Sequence, residues 1–200
     1  MSKKIILGSS STYRKALLTR LFQAFDCVSP DIDESALPNE TPIELVKRLT
    51  LAKAHAVDQI RRQTHKTDDA IIIASDQVAV LDSHILGKPH TEQNAIKQLQ
   101  KFSGQHVTFL TGLCVLDQET MKNTYTLNEY HVYFRQLNDE EIRHYVAIEK
   151  PLDCAGSFKC EGLGVCLFEK MAGDDPNSLI GLPLISLSQQ LREFGVNPIG

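Results

Sequence analysis

Residues 70–81 read AIIIASDQVAVL. An apolar run climbs to Asp76, and a second apolar run resumes behind it. Ala70 to Ala74, with its consecutive isoleucines, predicts a strand buried on both faces, because β-branched side chains pack well on a pleated surface. Gln77 to Leu81 predicts the start of another extended piece. The carboxylate between them is the anomaly. Burying an unpaired carboxylate costs several kcal/mol or forces it to take up a proton. Asp76 therefore either caps a turn or stands where a strand end opens into a site that needs its charge.

Outward from this stretch, strands and helices mix. Lys4 to Leu7 predicts a short buried strand. SSST at 9–12 then offers cap residues, and Leu17, Leu18, Leu21, Phe22 and Phe25 recur at helical spacing. TPIE at 41–44 is a helix start: Thr41 caps, Pro42 suits the first helical position and Glu44 completes a capping box. That helix is expected to run to about Arg62, with Val46, Leu49, Val57 and Ile60 on its apolar face. Lys53 falls among them, and helix geometry alone favours a side chain that snorkels outward. Thr91 to Phe102 predicts a helix ended by Gly104. His106 to Leu116 and Thr124 to Arg135 alternate as strands joined by a polar turn, an antiparallel pair. Asn138 caps a helix whose acidic first turn complements the helix dipole. Leu184 to Phe194 is the last helix. The pattern is α/β with a mixed sheet.

The chain has 200 residues, enough for one sizeable core or two closely packed lobes. It is 42% hydrophobic and 23% charged, as soluble globular chains are. A net charge of −4 argues against broad binding to nucleic-acid polymers, which needs a basic face. The apolar run after Lys4 is too short for a signal peptide, and no stretch approaches the ~18 apolar residues of a membrane span. The expected location is the cytoplasm. The five cysteines include no C-x-x-C pair, fit no familiar zinc spacing and read as reduced thiols acting as small apolar filler.

Chemistry-bearing residues gather in five stretches. LGSSSTYRK (7–15) places hydroxyls and free N–H groups at a helix start, with Arg14 one turn in. Such a start suits an anion, although alone it reads as an ordinary N-cap with a surface arginine. DIDES (31–35) reads as a solvated acidic loop that is also able to hold a divalent metal. SDQ (75–77) carries the anomalous carboxylate. LGKP (86–89) reads as a rigid turn presenting an ammonium, and DCAGSFKCEGLG (153–164) as a glycine-rich loop in which Glu161 has only Lys159 nearby to pair with. Together with Lys53 they supply carboxylates (Glu34, Asp76), cations (Arg14, Lys53, Lys88) and hydroxyls (Ser9, Ser11). That set suits hydrolysis of a metal-bound polyphosphate.

In this order, and over nearly the whole chain, these motifs resemble the Maf family of nucleotide pyrophosphatases. Ser9, Ser11 and Arg14, the Asp33–Glu34 pair, Lys53, SDQ, GKP, AGSFKCEGLG and DPNSLIGLPL all match. The resemblance implies a single domain spanning residues 1–200, with an elongated mixed sheet flanked by helices and two lobes around a central cleft, the Maf/ITPase-like arrangement. It implies hydrolysis of a nucleoside triphosphate between the α and β phosphates. It also implies a divalent cation, Mg2+ or Mn2+, held by Glu34 and Asp76. Asp76 corresponds to the proton acceptor, with Glu34, Lys53 and Lys88 as further catalytic groups and Ser9, Ser11 and Arg14 at the phosphates; the roles of Glu34 and Asp76 are exchangeable at this stage. The family admits a homodimer.

Substrate choice within the family turns on three positions. The branch acting on dTTP and UTP has arginine, threonine and glutamine where this chain has Tyr13, Gln77 and Glu161. The set here resembles the branch acting on 7-methyl-GTP. N7-methylguanine is a cationic aromatic, so a tyrosine ring stacks on it with a cation–π contribution of ~0.5–2 kcal/mol. A carboxylate accepts from the guanine N1–H and N2–H2 edge. That branch often carries tryptophan at position 13 and proline before it, where this chain has Tyr13 and Thr12. The resemblance also leaves two other functions open: a dTTP/UTP pyrophosphatase, and a nucleotide-binding regulator of septum formation and cell division.

Overall fold

In the computed structural model, residues 3–64 and 69–200 are described. The strands are β1 (Lys4–Leu7), β2 (Asp26–Cys27), β3 (Ala70–Leu81), β4 (His84–Leu86), β5 (His106–Asp117), β6 (Asn123–Phe134) and β7 (Phe168–Gly173). The helices are α1 (Thr12–Leu18), α2 (Pro42–Gln63), α3 (Glu92–Phe102), α4 (Asp139–Glu149), α5 (Pro176–Ile180) and α6 (Leu184–Glu193). The seven strands form a mixed sheet in the order β2-β1-β3-β5-β6-β7, with β4 pairing to β3. β1 runs parallel to β2 and β3, whereas β3–β4 and β6–β7 are antiparallel.

The opening stretch corrects its own reading. Residues 70–81 form one unbroken strand, not two pieces, so Asp76 stands in mid-strand rather than at a strand end. The strand continues because the charge is answered from a neighbouring helix, as described below, and needs no exit to water.

The chain divides into two compact units. The first comprises the residues up to Gln77, Thr111–Asn128 and Asp175–Gly200; the second comprises Val78–Leu110 and Glu129–Asp174. In the first unit, alternation along the strands covers both sheet faces. Ile5, Leu7, Ile71, Ile73, Leu113 and Val115 pack with Leu17, Leu18, Leu184, Leu187 and Leu191 of α1 and α6. Ile6, Ile72, Ala74, Cys114 and Leu116 pack with Ala54 and Val57 of α2. Each fully buried isoleucine or leucine contributes about 1.5–3 kcal/mol. In the second unit, Phe102, Phe134, Phe158 and Phe168 form an aromatic core with ring centroids 4.9–5.6 Å apart.

The cap signals hold. Thr41 Oγ1 accepts from the Glu44 amide while Glu44 Oε2 accepts from the Thr41 amide, and Asn138 and Glu141 make the same reciprocal pair at the start of α4. One helix is shorter than its apolar spacing predicts. α1 ends at Leu18, where the Thr19 hydroxyl donates to the carbonyls of Lys15 and Ala16. Leu21, Phe22 and Phe25 still pack against the first core, from non-helical backbone.

Candidate active site

Asp76 finds its partner in Lys53. The ammonium lies 2.5 Å from Asp76 Oδ1 and 2.7 Å from Glu34 Oε1. Lys53 is 7% exposed and Asp76 6%, whereas the Glu34 side chain is 60% exposed. Lys53 thus does not snorkel. α2 turns it inward onto the sheet, because a buried carboxylate on β3 offers more than solvent does. Two carboxylates from a loop and a strand converge on one cation.

The loop carrying Glu34 is tied to α2. Arg48 donates from Nε to Glu40 Oε1 at 2.6 Å and from Nη2 to the Ser35 carbonyl at 2.9 Å. This guanidinium holds the Glu40 carboxyl far below its ordinary value of 4.5, at about 2. Asp33, the other half of the acidic pair, accepts from the Ser35 amide at 2.9 Å and so shapes the loop.

The helix start at residues 9–14 closes on itself. Ser9 Oγ accepts from the Ser11 amide at 3.1 Å, and Ser11 Oγ caps α1 by accepting from the Arg14 amide at 3.4 Å. Arg14 Nε donates to the Gly181 carbonyl at 2.9 Å, and its Nη1 reaches Ser9 Oγ at 3.5 Å. Burial lowers the Arg14 guanidinium from its ordinary 12.5, while the charges of Asp76 and Glu34 act against that shift. Both carboxylates are therefore within electrostatic reach of the arginine. Tyr13 sits half-buried in the first turn of α1. Gln77 directs Nε2 to Thr111 Oγ1 at 2.8 Å and to the Ser178 carbonyl at 2.7 Å.

Lys88 and Glu161 belong to the second unit. Lys88 is exposed in the turn after β4. Glu161 is exposed in the 153–164 loop, where its Oε2 lies 3.4 Å from Cys160 Sγ; Lys159, its expected neighbour, instead donates to the Glu149 carbonyl at 2.7 Å.

Glu34 and Asp76 suit a divalent cation. Both carboxylates reach the same ammonium, so their oxygens already converge on one point, and hard oxygen donors match Mg2+ or Mn2+. Asp69, Asp117 and Glu119 also bring their carboxylate oxygens within 4.8 Å of one another. There, as at Glu34 and Asp76, one lysine pairs with two carboxylates, Lys3 lying 3.3 Å from Asp69 and 3.0 Å from Asp117. Nothing in the sequence sets Thr111 apart, and Ser75 and Gly181 read only as parts of SDQ and DPNSLIGLPL. The short α5 has no apolar period to betray it, although Pro176 at its start and Gly181 at its end are cap signals.

An α/β fold that closes two carboxylates on a buried ammonium, and carries a guanidinium at a capped helix start, has the chemistry of an enzyme acting on phosphate anhydrides. The chain belongs to the Maf family, whose sequence model, described as Maf-like protein, matches residues 4–194. It is 53% identical over 197 residues to the 7-methyl-GTP pyrophosphatase of Pseudoalteromonas translucida, covering 98% of this chain and 95% of that one. The protein of the same name from Idiomarina loihiensis is 53% identical over 199 residues, covering 100% and 98%. That of Pseudomonas aeruginosa is 51% identical over 192 residues, covering 96% and 97%. Among solved structures, the Staphylococcus aureus Ham1 protein overlays with a TM-score of 0.44 at 14% identity, over 81% of this chain and 90% of that one, too slight an overlap to carry a conclusion.

Proposed function

We propose that this chain hydrolyses 7-methyl-GTP to 7-methyl-GMP and pyrophosphate. The observation that carries the proposal is the convergence of Asp76 and Glu34 on Lys53, within electrostatic reach of Arg14. The shared name of relatives at about half identity supports the choice of substrate. So do Tyr13 and Glu161, an aromatic ring and a carboxylate of the kinds that suit a cationic purine.

In this reading Asp76 takes a proton from water as the water oxygen attacks the α phosphorus. The bond from that phosphorus to the α–β bridging oxygen breaks, and pyrophosphate leaves with the bond's electron pair. Lys53 balances the two carboxylates before the reaction. Arg14, Ser9 and Ser11 seat the triphosphate, and Lys88 supplies a further cation to it. A divalent cation at Glu34 and Asp76, when bound, neutralises phosphate oxygens. In this reading the reaction takes place in the cytoplasm. Among the described residues no helix is long and apolar enough to cross a membrane.

Hydrolysis in H2(18)O tests the bond cleaved. The heavy oxygen is expected in 7-methyl-GMP; heavy oxygen in the pyrophosphate would mean attack on the β phosphorus and would overturn this chemistry.

A further inference from the structure

The stretch DPNSLIGLPL (175–184) takes no part in the chemistry above, yet side chains of the first unit converge on its backbone. It forms α5 and the turn after it. The last carbonyls of a helix are open to donors from outside it, and β3 and β5 add side-chain donors here, although the Ser178 carbonyl already accepts from the Gly181 amide at 3.0 Å. The Ser178 carbonyl accepts from Gln77 Nε2 at 2.7 Å and from Thr111 Oγ1 at 3.0 Å. The Leu179 carbonyl accepts from Gln77 Nε2 at 3.3 Å. The Gly181 carbonyl accepts from Arg14 Nε at 2.9 Å and lies 2.9 Å from Ser75 Oγ, whose single proton it shares with the Gly112 carbonyl at 2.7 Å. The acceptors fix the orientation of the Gln77 amide: two of its partners are carbonyls, and the third, Thr111, already donates its proton to Ser178, so only the NH2 group fits.

Burial makes these bonds matter. Ser75, Thr111 and Ser178 are 0% exposed, so a lost donor leaves a carbonyl without water to replace it. Gly181 adopts φ +114°, which favours glycine, and a Cβ there would approach Arg14 Nε to 3.3 Å. The turn is also fixed at its start: Asp175, 2% exposed, accepts from the amides of Asn177 at 2.9 Å and Ile185 at 2.6 Å.

We infer that Ser75, Gln77 and Thr111 clamp the 175–182 turn so that the Gly181 carbonyl aims Arg14, and that Gln77 influences substrate through this turn rather than by touching the base. All three are positioning residues. The link to turnover rests on the proposed function, in which Arg14 meets the triphosphate; the geometric claim about Arg14 does not.

The test is a double-mutant cycle. Thr111→Val and Ser75→Ala are each made in the wild-type chain and in Arg14→Ala. Each is expected to lower kcat/KM roughly tenfold in the wild-type background, the worth of one hydrogen bond, and less than about twofold once Arg14 is gone. Gln77→Met is expected to lower turnover of 7-methyl-GTP and GTP in parallel, leaving their ratio within about twofold. The Arg14 Nε–H resonance, assigned by its loss in Arg14→Lys, supplies a readout that needs no activity. It is expected to exchange slowly in the wild type and faster in Thr111→Val and Ser75→Ala, with the backbone amide spectrum retained. Equal losses in both backgrounds, an altered base ratio in Gln77→Met, or an unmoved Nε–H signal would each overturn the inference. If the wild type releases pyrophosphate from no nucleotide, the proposed function fails and the Nε–H exchange alone decides the positioning claim.

Discussion

Asp76 and Lys53 are each more than nine-tenths buried, and Asp76 without its lysine is a buried charge left uncompensated. Removing one partner of a buried ion pair leaves an uncompensated charge, whereas removing both is often neutral. Lys53→Met should therefore lower stability by roughly 3–5 kcal/mol, and Lys53→Met with Asp76→Leu should recover most of that loss while remaining inactive. Urea unfolding measures both; a single variant as stable as the wild type would contradict the pairing. Asp76→Asn should keep the fold and lose roughly 10²–10⁴-fold in kcat. At this scale the two residues differed in legibility. Asp76 announces itself as a charge inside an apolar run. Lys53 does not, because its partner lies 23 residues further along the chain and helical spacing cannot see it.

Local chemistry sets the elements more than periodicity does. Both capping boxes could be read directly, since their partners sit three residues apart. The length of α1 could not, because the helix ends at Leu18 while the apolar spacing runs on. The acidic loop reads as solvated, yet Arg48 anchors it by the Ser35 carbonyl and by Glu40. That anchor has a pH signature. Glu40 ionises at about 2 in the folded chain against an ordinary 4.5, so its stabilising contribution is complete above pH 4.5 and disappears as the pH falls toward 2. Urea midpoints measured between pH 5 and 2 should fall less steeply for Glu40→Gln than for the wild type. Parallel curves would show that the pair does not hold the loop.

For the whole molecule, the mixed α/β sheet was legible because long strands such as β3 and β5 carry apolar runs that only a covered sheet accommodates. β2, β4 and β7 escaped notice, being two, three and six residues long with mostly exposed side chains. In the candidate site, motif order located the residues, but only the fold shows that Glu34, Lys53 and Asp76 share one ion-pair network. The most direct measurement is pyrophosphate release from 7-methyl-GTP, GTP, dTTP and UTP with Mg2+ or Mn2+, for wild type and Glu161→Gln. Release from 7-methyl-GTP much faster than from the other three, with that preference lost in Glu161→Gln, is the predicted result; preference for dTTP or UTP, or release from none of the four, would contradict the central claim.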